Sequence, residues 1–146
     1  MQSLPDGYVL RLIESGDYDK DLFGLLSQLT SAPQISQDDF NEIIRSPHSE
    51  FIIVEYLPAS KIVATVRINY ERKLIRGGAK VCHLEDFVVD ENHRCKGLGK
   101  ILIDHVKKRA QEAKCYKLIG ICSDEMVPFY QKTGFACNHR VFSQYF

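Results

Sequence analysis

The stretch that decides the fold spans residues 92–100 and reads Asn92-His93-Arg94-Cys95-Lys96-Gly97-Leu98-Gly99-Lys100. It follows a predicted strand at residues 80–89 and opens a predicted helix at residues 97–114, whose apolar residues recur at helical spacing. The first amides of a helix have no acceptor within it and lie at the positive end of its dipole. Because the glycines at 97 and 99 let an anion approach the backbone, the stretch predicts a phosphate-binding loop.

Three basic side chains favour this interpretation, because Arg94, Lys96 and Lys100 bring positive charge to the same turn. A dinucleotide fingerprint would need a third glycine and a later acid, and a P-loop would need Gly-Lys-Ser/Thr after four spacers. The stretch has neither pattern. The two glycines alone remain compatible with an ordinary strand–helix turn, in which they serve only the backbone geometry.

The composition predicts one domain, residues 1–146, without a nucleic-acid or membrane partner. The formal net charge is +0, so no field over the whole molecule attracts a polyanion. No apolar run has the length of a membrane span, and the N-terminal residues lack the pattern of a signal peptide. Five cysteines, an odd number without a Cys-x-x-Cys pair, predict reduced thiols in a cytoplasmic protein and no metal site.

Periodicity and turn residues predict the remaining elements as alternating strands and helices. The first half contains a strand at 8–12, a helix from Ser15 or Asp17 to about Thr30, a helix at 36–45, and a hairpin of strands at 51–56 and 62–70. The second half contains a strand at 117–122, a helix at 127–132 and a final strand at 136–146. The expected fold class is a single α/β (α+β) domain with a mixed sheet.

The strand at residues 80–89 is predicted to be central and buried rather than an edge strand. Strict alternation would place its side chains on two faces. One face would carry His83, Glu85, Phe87 and Val89, and the other would carry Cys82, Leu84, Asp86 and Val88.

Two motifs in this order resemble those of the GNAT acetyltransferases. Arg94-x-x-Gly97-x-Gly99 resembles the family's pyrophosphate loop, and Phe129-Tyr130-x-Lys132-x-Gly134-Phe135 resembles its motif near the C-terminus. The resemblance implies the GNAT fold, a central, mixed, mostly antiparallel twisted sheet flanked by helices. It also implies acetyl-CoA as co-substrate, with no metal.

The same resemblance assigns expected roles to residues of this chain. The backbone of Phe87, Val88 and Val89 would pair with the pantetheine arm, and an amide such as that of Phe87 would stabilise an oxyanion. Tyr130 would hydrogen-bond the departing thiolate and protonate it. The alternative is that Tyr130 only packs against Phe129 and has no catalytic role. The thioester would lie where the strands at 80–89 and 117–122 separate. The pyrophosphate would be held by Arg94, Cys95, Lys96, Gly97, Leu98, Gly99 and Lys100.

Catalysis through a covalent cysteine is the rival chemistry. Cys82 and His83 are neighbours on one strand, so their side chains point to opposite faces and cannot pair. Cys95 lies near a helix N-terminus and basic residues, which favour its thiolate, so we expect it to be reactive rather than catalytic.

Within the GNAT superfamily, the chain most resembles the glucosamine-6-phosphate N-acetyltransferases. The segments that carry the resemblance include Glu71-Arg72-Lys73-Leu74-Ile75, His83-Leu84-Glu85-Asp86 and Cys115-Tyr116-Lys117. It implies acetylation of D-glucosamine 6-phosphate, a step in UDP-N-acetylglucosamine biosynthesis, by a homodimer that builds the sugar site with its C-terminal strand. The expected phosphate ligands are Lys73, Arg76 and Lys117, and the expected contacts of the sugar and its amine are Thr30, Glu85 and Asp86.

The sequence departs from that pattern at three places. Ile121 stands where the family has an acid that orients the amine, which leaves Glu85, Asp86 or a water molecule as the base. Met126 replaces an asparagine that contacts the cofactor, and the last six residues lack the family's basic residue, with Arg140 the nearest substitute. Two alternatives therefore stay open: a GNAT enzyme for another small-molecule or protein amine, and an acyl-CoA-binding module without catalysis.

Overall fold

The computed structural model describes residues 3–146, which form five strands and four α-helices. The strands are β1 (Tyr8–Leu12), β2 (Ser49–Tyr56), β3 (Lys61–Arg72), β4 (Lys80–Val89) and β5 (Cys115–Gly120). The helices are α1 (Leu22–Leu26), α2 (Gln37–Ile44), α3 (Leu98–Glu112) and α4 (Val127–Lys132). None of the helices in this part of the chain is both long enough and apolar enough to cross a bilayer.

The strands form one sheet in the order β1-β2-β3-β4-β5. The first four pair antiparallel, while β4 and β5 are parallel because α3 carries the chain back across the sheet between them. The predicted mixed, mostly antiparallel sheet flanked by helices is therefore confirmed. The predicted bounds of β1, β4 and α4 agree with the structure, and β5 begins two residues before its prediction, since Cys115 pairs with Lys80.

Helices cover both faces of the sheet, and successive side chains of the buried strands point to opposite faces. Ile52 and Val54 of β2 pack on the α3 side, whereas Ile53 packs on the side of α1 and α2. This double burial explains why β2 and β3 are nearly continuous apolar runs rather than alternating ones. Five residues of α3 complete the larger core: Leu98, Leu102, Ile103, Val106 and Ala110.

The predicted first helix, from Ser15 or Asp17 to Thr30, is wrong in its extent. A 3-10 turn spans Ser15–Asp19, and α1 has only five residues. The break falls at Asp21, which has a left-handed backbone with φ of 58°. A helix cannot run through that conformation. The second helix follows its prediction more closely, and the Ser36 hydroxyl caps it by accepting a hydrogen bond from the Asp39 amide.

A buried ion network holds the 3-10 turn against the sheet. The Arg11 guanidinium donates two hydrogen bonds of 2.7 Å to the buried carboxylate of Asp17 and one of 2.6 Å to Glu55. The Lys20 ammonium donates to Glu55 at 2.7 Å. Burial alone would raise the pKa of Asp17, but the hydrogen bonds from Arg11 and from the Glu14 amide outweigh it and lower that pKa. The network therefore joins β1, β2 and the segment before α1.

The predicted final strand at residues 136–146 is also wrong. This segment has no strand conformation, and several of its side chains are almost fully exposed, among them Phe142, Tyr145 and Phe146. A strand needs a neighbouring strand to accept and donate its backbone hydrogen bonds, so an apolar sequence alone does not suffice. Within the part of the chain that the structure describes, no backbone amide of this segment donates to another strand.

Replacing Arg11 by Met tests the ion network. We expect the free energy of unfolding to fall by about 2–4 kcal/mol, because Asp17 stays buried without its bidentate partner. The lowered pKa values of Asp17 and Glu55 mean that the stabilisation is present above about pH 4 and is lost as the pH falls further. Urea unfolding at several pH values should therefore give a flatter pH profile for the variant. Lys108→Met, which removes only an exposed ion pair, is the control and should shift stability by less than about 1 kcal/mol.

Candidate active site

The strands β4 and β5 separate part-way along their length and leave a cleft between them. Their pairing ends at Leu84 and Gly120, so from Glu85 to Val89 the strand β4 pairs only with β3 and has no strand on its other side. Gly120 allows the close approach just before the separation, since a Cβ there would lie 3.2 Å from the Leu84 carbonyl oxygen. The opening beyond it, the β4–β5 cleft, has a volume of about 840 Å³. It exposes backbone groups of β4 that have no strand partner.

A β-bulge at Asp86 reverses the faces of the sheet to which the following side chains of β4 point. Arg67 of β3 pairs with Glu85, and Thr65 pairs with Val88, so β4 carries one extra residue between them. Asp86 has φ of 50°, a left-handed conformation that is unusual for a residue other than glycine. The strict alternation predicted for residues 80–89 is therefore wrong. Past the bulge, Phe87 packs on the same core as Cys82 and Leu84, whereas Val88 packs on the opposite one.

The loop after β4 has the geometry expected of an anion site. Gly97 has φ of 79° and precedes the first residue of α3, and Cys95 has φ of 61°. Among residues 3–146, no amide between positions 94 and 100 donates to a backbone carbonyl outside α3. The first amides of α3 also lack acceptors within the helix, so the donors remain available to a phosphate. Arg94 and Lys100 line the cleft beside them, and Lys96 does not.

The start of this loop is anchored by residues that the sequence did not single out. The carboxylate of Asp90 is buried and accepts hydrogen bonds from the Asn92 amide at 2.8 Å and from the Gln28 side chain at 3.2 Å. The Gln28 carbonyl oxygen accepts from the Glu91 amide at 3.0 Å. His93 is hydrogen-bonded to the hydroxyl of Tyr8 at 2.8 Å. An aspartate directly after a buried strand was the available signal, whereas the partner Gln28 is 62 residues away along the chain.

Tyr130 lies on the opposite wall of the cleft. Its ring packs edge-on against Phe129 and Phe135, at centroid distances of 5.2 and 5.6 Å. Phe129 in turn stacks on Phe87 at 5.8 Å, and both rings lie near Gly99, where a Cβ would come within 3.5 Å of them. Burial raises the pKa of Tyr130 to about 12, and the nearby Cys122 and Cys137 add to the shift. The hydroxyl is therefore protonated at neutral pH and able to donate a proton or a hydrogen bond.

The chain matches known proteins over most of its length. Residues 19–135 match the model of the acetyltransferase (GNAT) family. The chain belongs to the GNAT acetyltransferase family. The glucosamine 6-phosphate N-acetyltransferase of Candida albicans is 37% identical over 138 residues, which are 90% of this chain and 91% of that protein. The family membership confirms the resemblance drawn from the loop and from the motif around Tyr130.

Solved GNAT structures share this architecture. The crystal structure of glucosamine-6-phosphate N-acetyltransferase from Arabidopsis thaliana has a TM-score of 0.91 and 33% identity, covering 95% of this chain and 98% of that one. A Trypanosoma brucei acetyltransferase has a TM-score of 0.89 and 32% identity, covering 95% of this chain and 99% of that one.

The residues expected to bind the acceptor of this GNAT protein fall into two groups. Glu85 and Asp86 line the cleft and are exposed. Arg76 and Lys117 lie outside it, both against the Tyr116 ring, at 5.0 and 5.8 Å from its centroid. Lys73 pairs with Glu71, which also accepts a hydrogen bond from His83 at 2.7 Å. Thr30 is exposed just after α1. The single chain therefore does not bring the expected ligands of the sugar phosphate, Lys73, Arg76 and Lys117, to the lining of the cleft.

Two of the three departures from the family pattern lie in the cleft itself. Ile121 and Met126 both line it, with 68% and 37% of their surfaces exposed. The wall beside Tyr130 is therefore more apolar than the family pattern implies. Among the residues described, no group of three His, Cys, Asp or Glu side chains has the arrangement of a metal site.

Gly97→Val tests the loop as an anion site. A β-branched residue at a φ of 79° is strained and would crowd the amides at the start of α3. We expect the Kd for acetyl-CoA to rise at least about tenfold, which corresponds to about 1.4 kcal/mol. Isothermal titration calorimetry measures the effect. Gly77→Val is the matched control, because Gly77 has φ of 66° in the β3–β4 turn and a Cβ there meets nothing within 4 Å. Equal losses of affinity in both variants would contradict the assignment.

Proposed function

We propose that the protein transfers the acetyl group of acetyl-CoA to the amine of D-glucosamine 6-phosphate, giving N-acetyl-D-glucosamine 6-phosphate. The observation that carries acetyl transfer is the β4–β5 cleft, where the free end of β4, the loop before α3 and Tyr130 face one space. The similarity to glucosamine 6-phosphate N-acetyltransferases over about nine-tenths of the chain supports the choice of acceptor.

Acetyl-CoA can bind in an extended conformation along the cleft. Its pyrophosphate is held by the amides and basic side chains from Arg94 to Lys100, at the positive end of the α3 dipole. The pantetheine arm pairs with the backbone of Phe87, Val88 and Val89, taking the place that β5 has vacated. The thioester then lies beside the bulge at Asp86 and opposite Tyr130. Binding thus relies on backbone donors, which are rigid and already oriented.

The chemistry is a direct attack of a neutral amine on the thioester carbonyl. The new C–N bond produces a tetrahedral oxyanion, which the Phe87 amide stabilises as a hydrogen-bond donor. When the intermediate collapses, the C–S bond breaks and the departing thiolate takes the proton of the Tyr130 hydroxyl. Glu85, Asp86 or a water molecule accepts the proton that the amine loses. Burial raises the pKa of Tyr130 to about 12, so the hydroxyl carries its proton before the transfer.

A second candidate is favoured by one observation. Ile121 is exposed in the cleft at the position where the family has an acid that orients the amine. A protein that binds an acyl-CoA without turnover would tolerate that apolar residue. Tyr130, which lines the same cleft as the free side of β4 and the loop before α3, favours catalysis instead.

Mass spectrometry of products separates these possibilities. The purified protein is incubated with acetyl-CoA and one amine at a time. The amines are glucosamine 6-phosphate, glucosamine, spermidine and a lysine peptide. We expect acetylation of glucosamine 6-phosphate, with the other amines acetylated at least about a hundredfold more slowly. Acetylation of a different amine would overturn the acceptor, and binding of acetyl-CoA without any product would favour the second candidate. Thiol dyes are unsuitable, because the five cysteines are free.

Tyr130→Phe tests the proton donor. Loss of the hydroxyl should lower kcat by about 100-fold, the usual scale of general acid–base catalysis, while the Kd for acetyl-CoA changes little. Steady-state kinetics and calorimetry measure the two quantities. Tyr18→Phe is the control, since its hydroxyl donates to the Ile35 carbonyl outside the cleft, and its kcat should stay near that of the parent. An unchanged kcat for Tyr130→Phe would remove the residue from the mechanism.

We also propose that the protein is a cytoplasmic homodimer. The exposed aromatic side chains of residues 136–146 support a second subunit that covers them and completes the acceptor site with basic residues. The five free thiols suit a reducing compartment such as the cytoplasm. Light scattering that finds a monomer at micromolar concentration would contradict the dimer, and a fluorescent fusion outside the cytoplasm would contradict the location.

A further inference from the structure

Lys107 of α3 reaches across to the end of α4. Its ammonium donates a hydrogen bond to the Thr133 carbonyl, directly after the last residue of the helix. The same ammonium lies 5.0 Å from the centroid of the Phe135 ring. Gly134 lies between these two contacts and has φ of 89°, and a Cβ there would be in ordinary contact range of the Lys107 nitrogen, at 3.4 Å. One side chain therefore holds two points of the chain that leaves α4.

The segment that Lys107 holds is bonded directly to Tyr130. The Tyr130 carbonyl accepts hydrogen bonds from the Phe135 amide at 3.0 Å and from the Thr133 hydroxyl at 2.8 Å. The Phe135 ring then packs edge-on against the Tyr130 ring, with an interplanar angle of 89°. A movement of Phe135 must therefore move both the backbone and the ring of Tyr130.

The helix that carries Tyr130 has little means of holding itself in place. With six residues, α4 is far shorter than an isolated helix needs to be stable in water. The carbonyls at its end have no amide donors within the helix and carry its partial negative charge. A cation at that end stabilises it electrostatically, and the aromatic ring adds a cation–π contact. Lys107 supplies both interactions from the long, well-packed helix α3.

Lys107 differs in this from other lysines of α3. Lys100 pairs with Asp104 at 2.6 Å, and Lys108 lies 3.8 Å from Glu112, each as a helical ion pair one turn apart. Within residues 3–146, Lys107 forms no salt bridge to a carboxylate. It is half-buried, whereas Lys108 is exposed. Its charge is thus directed to a helix end and a ring rather than to a surface acid.

We propose that Lys107 is a positioning residue for acetyl transfer, which holds the end of α4 and Phe135 so that the Tyr130 hydroxyl faces the thioester. The inference rests on the proposed function, because it requires Tyr130 to act in the reaction. Lys107 contacts the Phe135 ring, which in turn packs on Tyr130, and Lys107 acts through that ring. It affects the rate through the placement of the hydroxyl and leaves the binding of acetyl-CoA to the loop unaltered.

Lys107→Met tests the inference, because it keeps the apolar stem and removes the ammonium. We expect kcat to fall about tenfold, while KM for acetyl-CoA stays within about twofold, as for a group misplaced by a fraction of an ångström. Lys107→Arg keeps the cation and should restore at least about half of kcat. Lys108→Met is the matched control and should leave both constants unchanged. A variant that melts earlier but keeps its kcat at 25 °C would show a merely structural role and overturn the proposal.

A double-mutant cycle separates this inference from the proposed function. If Lys107 acts through Tyr130, then Lys107→Met should have little further effect on kcat in the Tyr130→Phe background. Multiplicative losses in the double variant would overturn the role of Lys107 while leaving that of Tyr130 intact. A Tyr130→Phe variant with normal kcat would instead remove the catalytic role of Tyr130. If Lys107→Met folds poorly, Phe135→Leu is a second variant that tests the same contact. It should likewise lower kcat without raising KM for acetyl-CoA.

Discussion

The separation of β4 from β5 is the constraint on which the rest of the site depends. A parallel pair of strands normally satisfies its backbone groups along its whole length, because unpaired buried amides and carbonyls are costly. Here the pairing stops at Leu84 and Gly120, and the bulge at Asp86 brings the Phe87 side chain to the core that includes α3. The open backbone can be satisfied by an extended ligand, which in effect replaces the missing strand. Binding by main-chain groups also explains why the side chains of this strand can serve the cores.

The helix α3 links the two halves of the site. Its first turn presents free amides to the loop after β4, and its buried face carries much of the larger core. Two residues beyond its middle, Lys107 reaches the end of α4 and the segment that packs on Tyr130. The phosphate-binding loop at one end of the cleft and Tyr130 at the other end are thus both positioned by the same rigid helix, α3. Such a frame suits a reaction in which a thioester held at one end must meet a hydroxyl held at the other.

A separate set of contacts fixes the loop from the opposite side of the sheet. Asp90 is buried and receives hydrogen bonds from the amide of Asn92 and from Gln28 near the end of α1. The ion network of Arg11, Asp17 and Glu55 then holds the segment before α1 on the sheet. With the hydrogen bond between Tyr8 and His93, the loop geometry depends on contacts between residues up to 85 positions apart. Local sequence carries little signal for such contacts, since each partner is an ordinary polar residue on its own.

By itself, the sequence determined the elements whose signals are local. The bounds of β4 and α4, the start of α3 directly after Gly97 and the two GNAT motifs all follow from periodicity, glycine and proline within a few residues. Only the tertiary structure decided where strict alternation fails at Asp86, where the first helix breaks at Asp21, and that residues 136–146 are not a strand. The physical reason is that a bulge, a left-handed residue and a strand edge depend on distant partners. The bulge depends on its pairing with β3, Asp21 pairs with Lys61 at 3.0 Å, and a strand at residues 136–146 would need a neighbouring strand.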